Sequence, residues 1–101
     1  MQSEKDIEAE IQAKGKTAPR LTPDLIDAAI KGEDYHVFPN GRTTVCCLTL
    51  RNGFAVVGES SAVSVENFDA EIGRKVARDN ARQKIWAFEG YLLRERLHSD
   101  N

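Results

Sequence analysis

The fold is decided by residues 65–97, VENFDAEIGRKVARDNARQKIWAFEGYLLRERL. Laid on an ideal helix at about 100° per residue, the apolar side chains of this run fall on two opposed sides. Val65, Phe68, Ile72, Val76, Trp86, Leu93 and Leu97 make one side, and Ala70, Ala77, Ala81, Ile85, Phe88 and Leu92 make the other. A helix that is apolar on both sides is buried on both, or it breaks midway and each half buries one face. Residues 78–84 contain no strong breaker, although Gly73 and Gly90 each weaken the helix by up to about 1 kcal/mol relative to alanine. The reading is one continuous helix, capped by Ser64 with Glu66 in its first turn. One face is expected on a sheet and the other at a subunit interface, which predicts a homo-oligomer.

Working towards the N-terminus, Thr43-Thr44-Val45-Cys46-Cys47-Leu48-Thr49-Leu50 is rich in β-branched residues, and Phe54-Ala55-Val56-Val57-Gly58 follows it. The Asn52-Gly53 pair between them is the dipeptide that two-residue type I′ hairpins prefer. That loop pairs Leu50 with Ala55 and Leu48 with Val57. It puts Cys46, Leu48, Leu50, Ala55 and Val57 towards the helix, and Val45, Cys47, Thr49, Phe54 and Val56 on the far side. The far face is too apolar to stand in water, and a two-stranded hairpin alone is marginal, so a third strand or a partner is expected. Tyr35-His36-Val37-Phe38, before the turn at Pro39-Asn40-Gly41, is the candidate edge strand.

Thr22-Pro23-Asp24 opens a short helix at about 23–31, with Leu25, Ile26, Ala29 and Ile30 as its apolar face and Lys31-Gly32 as its stop. Before it, Ile7 and Ile11 make too thin a stripe to hold residues 3–14 down. Residues 1–20 therefore read as a flexible or weakly helical arm with a linker at 16–20, and residues 21–101 as a single compact domain. The fold class is α+β: an antiparallel hairpin or three-stranded sheet packed on a long C-terminal helix.

At 101 residues, 30% charged and with a formal net charge of −2, the chain has no built-in attraction for nucleic acid. It has no apolar run of membrane-spanning length and no signal-peptide core, so a cytosolic protein is expected. Cys46 and Cys47 are adjacent, fit poorly as a disulfide and are read as reduced thiols. With His36 and His98 the only histidines, no metal-ligand spacing exists, and no cofactor is expected.

Candidate chemistry reduces to one row. Arg74, Arg78 and Arg82 repeat every four residues along the helix, with Trp86 one turn further on. Three guanidiniums ending in an indole suit phosphates and a stacked base. The competing reading is a solvated face neutralised by Glu71, Asp79 and Glu89. Asp69 and Glu71 are dipole partners at the helix start, and Arg94 and Arg96 are the same at its end. Tyr35-His36, Ser60 and Ser61 assemble no catalytic set, and the glycines form no phosphate-binding pattern.

Several strings resemble a known family: Arg51-Asn52-Gly53-Phe54, Gly58-Glu59-Ser60, Glu66-Asn67-Phe68-Asp69-Ala70-Glu71-Ile72-Gly73-Arg74-Lys75, Asn80-Ala81, Lys84-Ile85-Trp86 and Glu89-Gly90-Tyr91-Leu92-Leu93-Arg94. They are similar to small phage and prophage proteins catalogued by gene number (gene product forty-nine and gene sixty-six of two enterobacterial phages). The resemblance covers about residues 21–97. It implies a phage or prophage gene acting in the bacterial cytosol, and it carries no activity or catalytic residues with it. The expected function is an accessory protein that binds a host or phage protein, for example to inhibit defence or redirect host machinery, without catalysis. The alternative is an oligomeric nucleotide-binding module or signalling-nucleotide sponge using Arg74, Arg78, Arg82 and Trp86. Nucleic-acid binding by the same row comes third, and an enzyme last.

Overall fold

The long C-terminal helix is continuous. In the computed structural model, which describes residues 3–16 and 18–100, it is α3 (Ala70–Ser99), 30 residues without a break. Before it in chain order come α1 (Glu4–Ala13), α2 (Pro23–Ala28), β1 (Ile30–Val37), β2 (Thr43–Leu50) and β3 (Ala55–Ser61). The strands form an antiparallel sheet in the order β1-β2-β3, and α3 lies across β2 and β3. This is the expected α+β arrangement with the third strand present. Thr17 of the expected linker, and Met1, Gln2 and Asn101 at the ends of the expected arm and domain, lie outside the described residues.

Three local expectations change. Ser64 does not cap the long helix: a short 3-10 turn at Val65–Asn67 intervenes, and Asp69 caps α3 by accepting from the Ile72 amide at 3.0 Å. Phe68 is extended, so the helical pattern begins one turn later than the apolar spacing suggested. The short helix stops at Ala28 rather than near Lys31, because Ile30 is drawn into the sheet opposite Leu50 and the Ala29 carbonyl accepts from the Arg51 amide.

The third change has the widest effect. Arg51-Asn52-Gly53 forms a three-residue loop, closed by Gly53 N–H to the Leu50 carbonyl (2.8 Å) and Leu50 N–H to the Phe54 carbonyl (2.7 Å). Gly53 takes φ +89°, which a side chain would resist, and the Asn52 side chain accepts from the Phe54 amide. Thr49 therefore faces Ala55 and Leu48 faces Val56, one residue away from the two-residue register. A slip of one turns every β3 side chain over. Val56 is buried beneath α3, whereas Ala55 and Val57 are exposed on the far face.

The slip also points Gly58 at the helix. The buried residues of α3 are Gly73, Ala77, Ala81 and Ile85, one every four residues. The helix backbone comes down on β3 so closely that a Cβ on Gly58 would collide with the Ala81 amide nitrogen and the Ala77 carbonyl oxygen, and would lie 2.8 Å from the Ala81 Cα. Around this contact Ile26, Ala29, Cys46, Leu48, Leu50 and Val56 complete the core, with Leu21, Ile30, Tyr35 and Trp86 against its margin. Cys46 is buried and Cys47 half-buried, and both are free thiols.

Backbone atoms cannot yield as a side chain can, so Gly58→Ala must push the helix off the sheet. We expect a loss of about 3 kcal/mol or more, from overpacking followed by lost contacts. Urea unfolding of the two proteins measures it, and a loss below about 0.5 kcal/mol would show that the helix does not sit on this glycine.

Candidate functional site

The arginine row is the first surface to place. Arg82 is nearly buried, its side chain 12% exposed. It donates to Glu4 (2.6 Å), to Asp27 (2.8 Å) and to the Pro23 carbonyl (3.3 Å). Burial alone would make the guanidinium easier to deprotonate, but the two carboxylates outweigh it and its pKa is raised. Trp86 donates its indole N–H to the same Glu4 carboxylate at 3.2 Å. Arg78 donates to Glu33 at 2.9 Å, and Tyr35 donates its hydroxyl to the other oxygen of that carboxylate. Arg78 holds Glu33 below the usual carboxylate range, while burial first and then the Glu33 bond push the Tyr35 hydroxyl up to about 12. Arg74 is exposed and has no hydrogen-bond or ion-pair partner among the described residues.

The four residues do share one edge of α3, but three of them are joined to β1, α2 and α1. The acids expected to neutralise them do other things. Glu71 pairs with Lys75, Glu89 pairs with Arg51, and Asp79 pairs with none of the row. As it stands, this edge is a set of cross-links that docks the N-terminal segment. α1 has no buried residue, so its attachment is polar: Glu4 to Arg82 and Trp86, and Glu8 to Arg20 through two bonds of 2.6 and 2.7 Å.

The second surface was not read from the sequence. At the β2–β3 turn, Leu50, Arg51, Asn52 and Phe54 meet Phe88, Glu89, Tyr91 and Leu92 of α3 around a concave pocket of about 240 Å³. Phe54 and Phe88 meet edge to face, with ring centroids 5.1 Å apart. They are half exposed, and Tyr91 is 74% exposed. Arg51 grips Glu89 with two bonds, of 3.0 and 3.1 Å, which ties the turn to the helix beside the rings. The two-residue hairpin register sent Phe54 to the far face and hid this cluster. Asn-Gly within a three-residue Arg-Asn-Gly loop was the available signal, because that loop returns Phe54 to the side of Leu50. Among the described residues no group of histidine, cysteine, aspartate or glutamate side chains is arranged to hold a metal ion, and no helix is long and apolar enough to cross a membrane.

Removing Arg82 leaves two carboxylates facing each other without their cation. Arg82→Met should therefore cost about 2 kcal/mol and free α1 for proteolysis, both measurable on the purified chain. Retention of full stability and of α1 protection would show that the row is not structural. A pH titration tests the other tie. Glu8 is lowered from 4.5 to about 2, chiefly by its hydrogen bonds from Arg20 and then Gln12. Its folded value lies below its unfolded one, so its contribution is complete above pH 4.5 and fades as pH falls towards 2. The Glu8 carboxyl resonance should accordingly titrate near pH 2 in the folded chain, and a midpoint near 4.5 would mean that the contact does not form.

No curated protein matches the chain, and no solved structure matches it. A family model does, over residues 21–97, from the residue before the α2 cap to the last turn of α3. It spans the sheet, the long helix and the aromatic pocket. The chain belongs to the phage protein family of N4 Gp49 and phage Sf6 gene 66.

Proposed function

We propose that the protein is a non-catalytic phage accessory protein that works in the bacterial cytosol by binding a host or phage protein, for example to inhibit a defence or redirect host machinery. The observation that carries this reading is the pocket at the β2–β3 turn. Large aromatic side chains are costly to leave in water, and here Phe54, Phe88 and Tyr91 are grouped, exposed and held in place by the Arg51–Glu89 pair. A rigid aromatic anchor beside an arginine is the composition of interface hot spots. Phage-family membership supplies the setting, and the absence of an assembled acid, base and nucleophile set in the sequence agrees with a binding role.

A signalling-nucleotide sponge built on Arg74, Arg78, Arg82 and Trp86 stands second. A phosphate ligand there would have to displace Glu33, Asp27 and Glu4 from guanidiniums they already satisfy, and of the row only Arg74 has no partner among the described residues.

The deciding experiment captures partners from phage-infected cells on the wild-type chain and on a Phe88→Ala, Tyr91→Ala variant. Both positions are too exposed to hold the fold together. The variant should lose a partner seen with the wild type, with affinity lower by roughly 30-fold or more. An unchanged partner would remove the pocket from the mechanism. A nucleotide retained on the purified wild type in native mass spectrometry, and lost on Arg74→Ala, would move the second reading to first.

A further inference from the structure

The sheet has two edge strands, β1 and β3, and the chain treats them differently. Ala62 donates to the Arg42 carbonyl and Leu50 to the Phe54 carbonyl, which fixes the alternation along β3. Val56 and Gly58 bond inward to β2, and Val57 and Glu59 present their backbone groups to the outer edge. There α3 meets them: the Val57 carbonyl accepts from Lys84 Nζ and the Glu59 carbonyl from Asn80 Nδ2. Two outward carbonyls of that edge are thus already bonded by the chain's own helix.

The β1 edge is not. Phe38 donates to the Thr43 carbonyl, so Asp34, His36 and Phe38 bond inward, and the N–H and C=O groups of Glu33, Tyr35 and Val37 point outward. Among the described residues no side chain bonds them. The regular part of this strand is bounded at both ends. A register shift lies between Ile30 and Gly32, and Pro39, which has no N–H to offer, follows Phe38. The usable ladder is therefore residues 32–38, and Tyr35 is its midpoint.

We propose that β1 pairs with β1 of a second copy of this chain, antiparallel and centred on Tyr35, to give a two-fold symmetric sheet of six strands. Symmetric pairing within one sheet requires opposed residues to share a face, so the axis passes through a residue. Three centres are available. An axis at Asp34 sets that carboxylate against its own copy, and like charges directly opposite are destabilising. An axis at His36 sets Glu33 against Pro39, where the ladder loses a donor, and Asp34 against Phe38.

The axis at Tyr35 opposes no like charges and keeps Pro39 out of the ladder. Asp34 stands opposite His36 of the second copy, twice, in the closely spaced pairs where side chains interact most. Phe38, itself 43% exposed, stands opposite Gly32, around which a Cβ would meet nothing within 4 Å. An aromatic ring over a cross-strand glycine is a known stabilising pair. Glu33 stands opposite Val37, and all the outward backbone groups of Glu33, Tyr35 and Val37 are satisfied. The pairing uses no residue of the aromatic pocket, so the dimer carries two pockets and its existence does not depend on what they bind.

Sedimentation velocity across the micromolar range, run beside amide hydrogen exchange at the same concentrations, tests the proposal. The wild type should pass from monomer to dimer, and the amides of Glu33, Tyr35 and Val37 should slow in step with it. Val37→Pro removes an outward N–H that no intrachain bond uses. It should keep the wild-type circular dichroism spectrum while weakening the dimer by roughly tenfold or more. Asp34→Lys should weaken the dimer as well, and Asp34→Lys with His36→Glu should restore it. A wild type that stays monomeric, or a dimer indifferent to Val37→Pro, overturns the proposal. A double variant no tighter than Asp34→Lys overturns the Tyr35 register. If Val37→Pro fails to fold, the wild-type exchange pattern decides: protection that rises anywhere other than on these three amides overturns the pairing.

Discussion

Everything else in the molecule is arranged around the approach of α3 to Gly58. Two backbones in contact leave no room for a side chain between them. The helix meets this condition with Gly73, Ala77 and Ala81 before it reaches Ile85, the first large residue of the buried row. The close seat brings the flanks of α3 down to the strands. On one flank Arg78 reaches Glu33 of β1, and on the other the short side chain of Asn80 reaches the Glu59 carbonyl of β3. The same seat leaves one cost uncompensated: the Thr44 hydroxyl is fully buried under Gly73 without a hydrogen-bond partner among the described residues.

The seat also explains which part of the two-faced helix was legible in its sequence. Periodicity alone located the helix and separated its two apolar sides, because the pattern depends only on spacing. It could not say which side takes the sheet. The small side went to the sheet. Of the large side, Trp86 is covered by the N-terminal segment, while Ile72 and Val76 remain exposed. The information was present in β3: a glycine within a strand, paired with alanines four apart on a helix, marks a close approach of backbones. Reading it needed the correct hairpin register, and Asn-Gly serves a two-residue and a three-residue loop equally well.

The arginine row shows a different limit of sequence reading. Its spacing was visible and its alignment on one edge of α3 is as expected. The partners were sought within helical reach, where Glu71, Asp79 and Glu89 lie, yet the acids that meet Arg78 and Arg82 come from 45, 55 and 78 residues away. A long-range ion pair leaves no periodic trace in a single sequence. The outcome matters for α1, because a helix with no buried residue has little hydrophobic hold on the domain and depends on these charges for its place.

The stiffness of the aromatic pocket follows from two constraints that act on opposite sides of it. The loop fixes Phe54 from below, through Gly53 and the Asn52 side chain, and the Arg51–Glu89 pair fixes the loop to the helix that carries Phe88 and Tyr91. A surface salt bridge contributes little to global stability when it is solvated. Here Glu89 is only 14% exposed, and the bridge is bidentate and closes a short ring of contacts, so its effect is on geometry: it stops the turn from swinging away from α3. An anchor ordered before a partner arrives loses less conformational entropy on binding. An arginine and a largely covered glutamate therefore set how well the exposed rings would serve the binding role proposed for them.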